Sequence, residues 1–347
     1  MTRYRRSPAS HRYQGFSLIE LLVSMTIGLV ITVAAGSAYL GASTAGKVAD
    51  AQSRMNEDGQ AALNILTQHL RMVGSNPNQP NRAAVFLRNP VYDPTYVGAT
   101  STPYASTTYV VAPAYTRSPY SIRGCDGTFT VVTAGATDIS VLNCAAGANT
   151  LPDSIAISYE ADLYNTKPDT NSKPTDCLGN PLTVFNVVFT PPAPDPVMND
   201  SFSVAVNRFY IATSGSVAAP TLFCKGNGGN SPVSPQPLVE NIEDMQFTYG
   251  TVSTSAILST ATVAGYLRAN EVASLVITPS TAADDSTRWG KVLSVRICVL
   301  VRSETLSAPD AASARYDDCQ GARNVAAPDL RLRRAYFTTV VLRNRRF

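Results

Sequence analysis

The sequence is poor in the side chains that catalysis most often uses. It has two His, His11 and His69, and one Trp among 347 residues. No G-x-S-x-G, H-E-x-x-H, P-loop or Rossmann glycine pattern occurs, so the commonest hydrolase, metalloprotease and nucleotide-binding machineries lack their signatures. The six Cys never fall at the short C-x-x-C-like spacings that zinc sites favour. No catalytic residue, cofactor or metal is expected. Charge is missing locally as well. No acid precedes Gly15, and from Leu21 to Gly46 the only ionisable side chain is Tyr39. Proline is absent from Phe16 to Gly74, which leaves that whole stretch free to be one helix.

What is present near the N-terminus has a definite order. Arg3, Arg5, Arg6 and Arg12 form a basic leader, followed by Gly15-Phe16-Ser17-Leu18-Ile19-Glu20 and then the 26 uncharged residues to Gly46. As a helix those residues rise about 39 Å, enough to cross a hydrocarbon core of roughly 30 Å. The Arg cluster keeps its side in the cytoplasm by the positive-inside rule and sends the bulk of the chain outside. An ordinary secretory signal has a shorter apolar core and a small-residue cleavage site beyond it. A plain signal anchor gives no reason for a carboxylate at Glu20, although the helix dipole favours an anion near a helix start.

This constellation resembles the class III signal of type IV prepilins and type II secretion pseudopilins. The residues that carry the resemblance run from Gly15 to Val23. In that family a membrane aspartic peptidase cuts after the Gly, and the new N-terminal residue is methylated. The resemblance therefore implies cleavage between Gly15 and Phe16 and N-methylation of Phe16. It also implies a role in subunit assembly for Glu20, compensated by an N-terminal ammonium of its own or a neighbouring subunit.

Removing the four leader Arg takes the formal charge from +3 to −1, so the mature chain lacks the basic footprint of a nucleic-acid binder. Pro (23) and Gly (21) suggest long loops and β structure rather than a helical bundle. The six Cys of an exported chain suggest three disulfides. Six allow 15 connectivities; sequence neighbours would pair as Cys125 with Cys144, Cys177 with Cys224, and Cys298 with Cys319.

Along the chain, residues 1–15 are the leader. Residues 16–75 are the N-terminal helix, with 16–46 in the membrane, and 76–347 form a periplasmic or extracellular β-rich domain. In the second half of the helix Val48, Ala51, Met55, Ala62, Leu66, Leu70 and Val73 make an amphipathic stripe suited to packing on a sheet. Pro77 and Pro80, with Asn76, Asn78 and Asn81, stop it. Gly28, Gly36, Gly41 and Gly46 are either ordinary membrane-helix glycines or sites of flexibility and close packing. Strands are expected at 110–111, 129–132, 139–142, 155–159, 184–189 and 204–211, with turn-rich stretches at 165–174, 191–196 and 226–237 between them. The Tyr-rich stretch (Tyr92, Tyr96, Tyr104, Tyr109, Tyr115, Tyr120) reads as core and turn packing before it reads as a binding surface. Asp169, Asn171 and Asp176 faintly resemble a calcium loop, but Lys173 stands where an oxygen ligand belongs and no Glu closes it.

Residues 237–244 read as a short helix or turn, and Met245, Phe247 and Tyr249 as the buried side of a strand. A soft insert between Gly250 and Ser274 ends near a helix. Residues 289–302 hold the clearest strand: Leu293, Val295, Ile297, Val299 and Val301 face one way. Cys298 points off that face, where Cys319 can reach it. The C-terminal block from Arg331 reads as a final strand between basic clusters. Its charge suits a solvated sheet edge, ahead of nucleic acid or phospholipid binding.

Three stretches in the family's order resemble PilW-type minor pilins of the GspJ-like group: the N-terminal signal, Leu238–Gly250 and Arg334–Asn344. Val292–Arg302 fits the strand between the last two. The resemblance implies an α+β pilin fold, a long N-terminal helix packed on an antiparallel sheet, here with a large loop-rich β region. It implies a non-enzymatic minor pilin that primes type IV pilus assembly and sits at the fibre tip, serving adhesion and twitching motility. Expected partners are the prepilin peptidase and N-methyltransferase, other minor pilins, the major pilin, inner-membrane lipid and the inner-membrane assembly platform. Nucleic acid is not an expected partner. The protein would reside in the inner membrane as a single-pass protein and then at the cell surface. The alternatives are a type II secretion pseudopilin, and an adhesin or DNA-uptake module displayed at the tip. The helix lacks the Pro that major pilins often carry, so no comparable melting of the helix on assembly is inferred.

Overall fold

A computed structural model describes residues 15–76, 91, 102–103, 109–113, 115–117, 120–130, 139, 142–145, 151–190, 194, 197–214, 217–229, 234–252, 262–276 and 285–345. The leader Arg and His11, the Pro77 and Pro80 stop, and Tyr92, Tyr96 and Tyr104 lie outside these residues. Helix α1 spans Leu18–Met72 without interruption, as a proline-free sequence permits. It ends at Gly74, whose φ of 67° is the left-handed conformation that glycine adopts at low cost after a helix. Asn344 completes that end from far along the chain: its side-chain amide donates to the carbonyls of Arg71 (3.0 Å) and Val73 (3.4 Å).

The chain divides into two compact units, Met1–Asp50 and Ala51–Phe347, and α1 contributes to both. In the first, none of the described side chains is buried. In the second, α1 buries Ala51, Met55, Gly59, Ala62, Leu66 and Leu70. Spacings of four and three keep this stripe on one helix face. The expected stripe skipped from Met55 to Ala62, and Gly59 fills that gap.

The second unit is α+β. After α1 come β1 (Thr102–Pro103), β2 (Tyr109–Ala112), β3 (Thr116–Arg117), β4 (Ile122–Cys125), β5 (Ser154–Ala161), β6 (Phe185–Phe189), β7 (Met198–Ser214), β8 (Val217–Lys225) and β9 (Gln236–Glu240). Then follow β10 (Ile242–Val252), β11 (Val263–Leu267), α2 (Ala269–Ala273), α3 (Asp285–Gly290), β12 (Val292–Arg302) and β13 (Arg333–Val341). A seven-stranded sheet runs β2-β6-β7-β5-β4, with β8 joined to β7 and β9 to β8; a four-stranded sheet runs β11-β10-β12-β13; β1 and β3 pair separately. All strand pairs are antiparallel. Strand β7 is long enough to use three partners. It pairs with β6 through Phe202, with β5 from Ser203 to Phe209, and with β8 from Arg208 onward. Between β6 and β8, Asn227 fills the missing rung by accepting from Val206 N–H (2.8 Å) and donating to Val204 O (3.0 Å).

In the smaller sheet the expected alternation holds on β10 from Met245 to Tyr249, whereas β12 is buried on both faces except at Arg296 and Arg302. Met245, Phe247 and Tyr249 are buried beside Val295, Ile297, Val299 and Val301. Residues 237–244, however, form no helix. Pro237 sits in β9, which pairs with β8 alone, so its missing N–H breaks no ladder bond on the open edge. Asn241, at φ 62°, then turns the chain from the larger sheet into the smaller one, a conformation Asn tolerates better than most residues. Burial of Val239 and Ile242 on either side of that corner outweighs local helix preference. Of the expected strand at 139–142, residues 140 and 141 lie outside the described residues; Ile139 and Leu142 are both fully buried, and Leu142 N–H donates to the Ile139 carbonyl (3.2 Å). Phe129 makes only a single bridge, to Cys144, and Val131 and Val132 lie outside the described residues. Tyr115 packs on Phe185 and Phe202, and Tyr120 is buried, so these two tyrosines are core.

Candidate assembly site

The helix start is a reciprocal cap. Glu20 N–H donates to Ser17 Oγ (3.3 Å), while Ser17 N–H and Ser17 Oγ both donate to Glu20 Oε2 (3.4 Å). Ser17 is the N-cap and Glu20 the third helical residue, the S-x-x-E capping box. Glu20 is therefore placed by local backbone geometry directly after the Gly15-Phe16 junction. Phe16, Leu18 and Ile19 around it are 73–84% exposed. Beyond the cap, hydroxyls bond back along the helix: Ser24 to Leu21 O, Thr26 to Val23 O, Thr32 to Gly28 O, Ser37 to Ala34 O and Thr44 to Leu40 O. Each of these hydroxyls has a partner within the helix, which lowers the cost of placing it in hydrocarbon.

The second unit holds its part of α1 through residues far apart in sequence. Tyr336 of β13 donates its hydroxyl to Asn56 Oδ1 (2.6 Å), and its ring lies over Gly59. A Cβ at Gly59 would stand 2.6 Å from Tyr336 Cδ2, closer than packed carbons approach. Further along, Tyr159 hydroxyl and Asn207 Nδ2 each lie 3.4 Å from His69 Nδ1; Asn207 also donates to the Tyr159 hydroxyl (3.2 Å) and accepts from Cys177 N–H (3.1 Å). Burial holds the His69 pKa down to about 4 and raises that of Tyr159.

The basic C-terminal block is mostly internal in its effect. Arg333, with 1% of its side chain exposed, grips Glu243 through Nε (2.5 Å) and a terminal nitrogen (3.0 Å), and Asp329 through the other (2.7 Å). Burial works against the cation, yet the two carboxylates hold its pKa above the usual guanidinium range. Arg331 bonds the carbonyls of Ser303 and Glu304 and pairs with Asp329. These contacts give Arg331 and Arg333 carboxylate and carbonyl partners within the protein.

Asp153 joins the two sheets. Its carboxylate accepts from Gly127 N–H (3.1 Å) beside the larger sheet and Phe247 N–H (2.8 Å) in the smaller. Burial pushes its pKa up to about 8, against those two bonds. Three disulfides are present: Cys125–Cys144, Cys177–Cys224 and Cys298–Cys319, with Cα separations of 5.4, 6.6 and 5.6 Å. The loop that faintly suggested calcium is held by its own backbone. Asp169 accepts from the N–H groups of Asn171 and Lys173, and Asp176 from those of Leu178, Asn180 and Gly228. Among the described residues no cluster of three or more metal-ligating side chains occurs.

Sequence reasoning missed Ser17, Gly59, Asn207, Asp153 and the partners of Arg333 and Asn344. Two of these left a signal: the S-x-x-E spacing, and the gap in the helix stripe that only a small residue fills.

Residues 10–36 match the family model of the prokaryotic N-terminal methylation motif, and residues 208–344 match that of type IV pilus-assembly protein W. With the long apolar helix and antiparallel sheets, these define a type IV pilin-like protein. A type IV-like pilin, TTHA1219 from Thermus thermophilus, aligns over 56% of this chain and 79% of its own at 10% identity and a TM-score of 0.28, too low to carry an argument. No curated protein matches the sequence. Within the pilin-like class, the C-terminal part of the chain, residues 208–344, is similar to the PilW pilus-assembly proteins.

Proposed function

We propose that this protein is a minor pilin that primes type IV pilus assembly and ends at the fibre tip. The observation that carries the reading is the pairing of two features in one chain. A prepilin signal lies at one end, and a PilW-type C-terminal region at the other fastens α1 through Tyr336 and Asn344. Processing would remove residues 1–15, methylate Phe16 and leave 16–46 in the membrane as part of a helical segment to residue 75. Residues 76–347 would then form the exported domain. The protein acts as a substrate of the peptidase and then as a structural part beside other minor pilins and the major pilin, without catalysis of its own. Deletion of the gene should abolish piliation and twitching while exoprotein secretion continues. Loss of secretion with normal pili would instead make it a secretion pseudopilin.

A further inference from the structure

The four-stranded sheet ends in two open edges. In the order β11-β10-β12-β13, β13 pairs with β12 alone and β11 with β10 alone among the described residues. Strand β13 holds an unbroken register and has neither Pro nor bulge, the usual guards of a free edge. Its charge is confined to Arg333 and Arg334. Leu342 N–H donates to Leu293 O, so by the alternation of an antiparallel ladder the backbone groups of Phe337, Thr339 and Val341 turn to the open side. The side chains of Phe337 and Val341 are 62% and 47% exposed. Strand β11 carries no charge, and its Val263 and Ala264 are exposed.

Strand direction decides what fits. Tyr336 meets Asn56 and Asn344 meets Arg71, so β13 runs alongside α1 in the same direction. Four alternating strands leave the outer two opposed, and β11 therefore runs against α1. Two β13 edges paired antiparallel would set two copies of the Ala51–Met72 helix head to tail. Copies that both rise from one membrane through Asp50 cannot meet in that way. A second copy in the same orientation instead brings its β11 to β13 antiparallel. The faces agree as well. Tyr266 pairs through Gly250 with Ser294, and Phe337 with Cys298, four positions on along β12, so both aromatic rings belong to one face of the sheet. We propose that β13 of one copy accepts β11 of a second, carrying the sheet from chain to chain by a head-to-tail contact. The five residues of β11 bury less than a stable soluble complex needs, so anchoring in one membrane supplies the effective concentration. The contact does not rest on the priming reading, since anchored copies can meet whether or not the Gly15-Phe16 bond is cut.

The test is cross-linking of the full chain in membrane vesicles. The six native Cys are paired, so only an introduced thiol reacts with a short bis-maleimide. Thr339→Cys and Ala264→Cys, both at exposed positions, should give a dimer when the two variants are co-expressed and none when either is present alone. Phe337→Lys, added to the Thr339→Cys chain, places a charge on the edge and should remove that dimer while the melting temperature stays unchanged. A dimer from Thr339→Cys alone would mean that β13 pairs with itself and would overturn the proposal. So would conjugates that hold this chain only once beside another protein, absence of any dimer, or a dimer undiminished by Phe337→Lys. None of these results touches the assembly reading, which processing and piliation test.

Discussion

From Leu18 to Asp50, α1 buries nothing; from Ala51 to Met72 the same helix buries a residue at nearly every turn. One continuous backbone therefore serves two environments. In the first stretch the apolar residues run all round the helix, so nothing within that unit can cover them. They need lipid or neighbouring helices, while the backbone and hydroxyls satisfy one another internally. In the second, apolar residues collapse to a stripe, and the sheets supply a ring over Gly59, a polar node at His69 and a cap at Asn344. The first stretch is thus stabilised by what lies outside the chain and the second by the chain itself.

The largest way to break that division is at its entrance. Gly15→Val should block cleavage, because a branched side chain then stands at the scissile junction. Immunoblotting should show only the unprocessed chain, and normal processing would count against the signal. The next effect belongs to the body. Arg333→Met leaves Glu243 and Asp329 without their shared cation and should cost about 3–5 kcal/mol, the range for breaking a buried pair. Thermal unfolding measures this, with the apolar helix serving as an internal contrast: its helical signal in detergent should persist.

A smaller effect depends on pH. The folded His69 titrates at about 4 and the unfolded chain near 6.5, so the unfolded state takes up the extra proton in between. Stability should fall as pH drops through that window, by about 2 kcal/mol after allowance for the ring's partial exposure. His69→Gln should remove this loss. Asp153 acts in the opposite sense: its folded pKa of about 8 means that stability falls as pH rises from about 4 to about 8, and Asp153→Asn should flatten that limb. Melting curves of the two variants from pH 4 to 8 separate the contributions.

The smallest effect tests the cap. Ser17→Ala should cost about 1 kcal/mol of local helix stability and leave recovery in sheared fibres near normal. Glu20→Ala should leave cleavage intact and impair recovery. Equal recovery of the two variants would reduce Glu20 to a capping residue.

Much of this organisation was legible in the sequence because it rests on periodicity and composition. The uncharged run, the stripe from Ala51, the alternation at Met245, Phe247 and Tyr249, and Cys298 opposite the apolar face all follow from local spacing. The departures arise where distant chain segments decide. Residues 237–244 become a strand and a corner because Val239 and Ile242 bury on different sheets. Arg333 looks like a solvated edge charge until the fold brings Glu243 beside it, 90 positions away. Asn344 reads as a terminal polar residue, yet it caps a helix that ends at Met72. At the candidate site, the motif from Gly15 to Glu20 marked where the helix starts, whereas Ser17 passed as part of that motif because its role is hydrogen bonding rather than charge.

If the proposed assembly role holds, chemistry at the Gly15-Phe16 junction turns a membrane-held chain into a fibre subunit. Mass spectrometry of sheared, purified fibres reads out that conversion. A peptide of this protein that begins at N-methylated Phe16 is the expected result. Recovery only from the membrane, with Met1 retained, would contradict it.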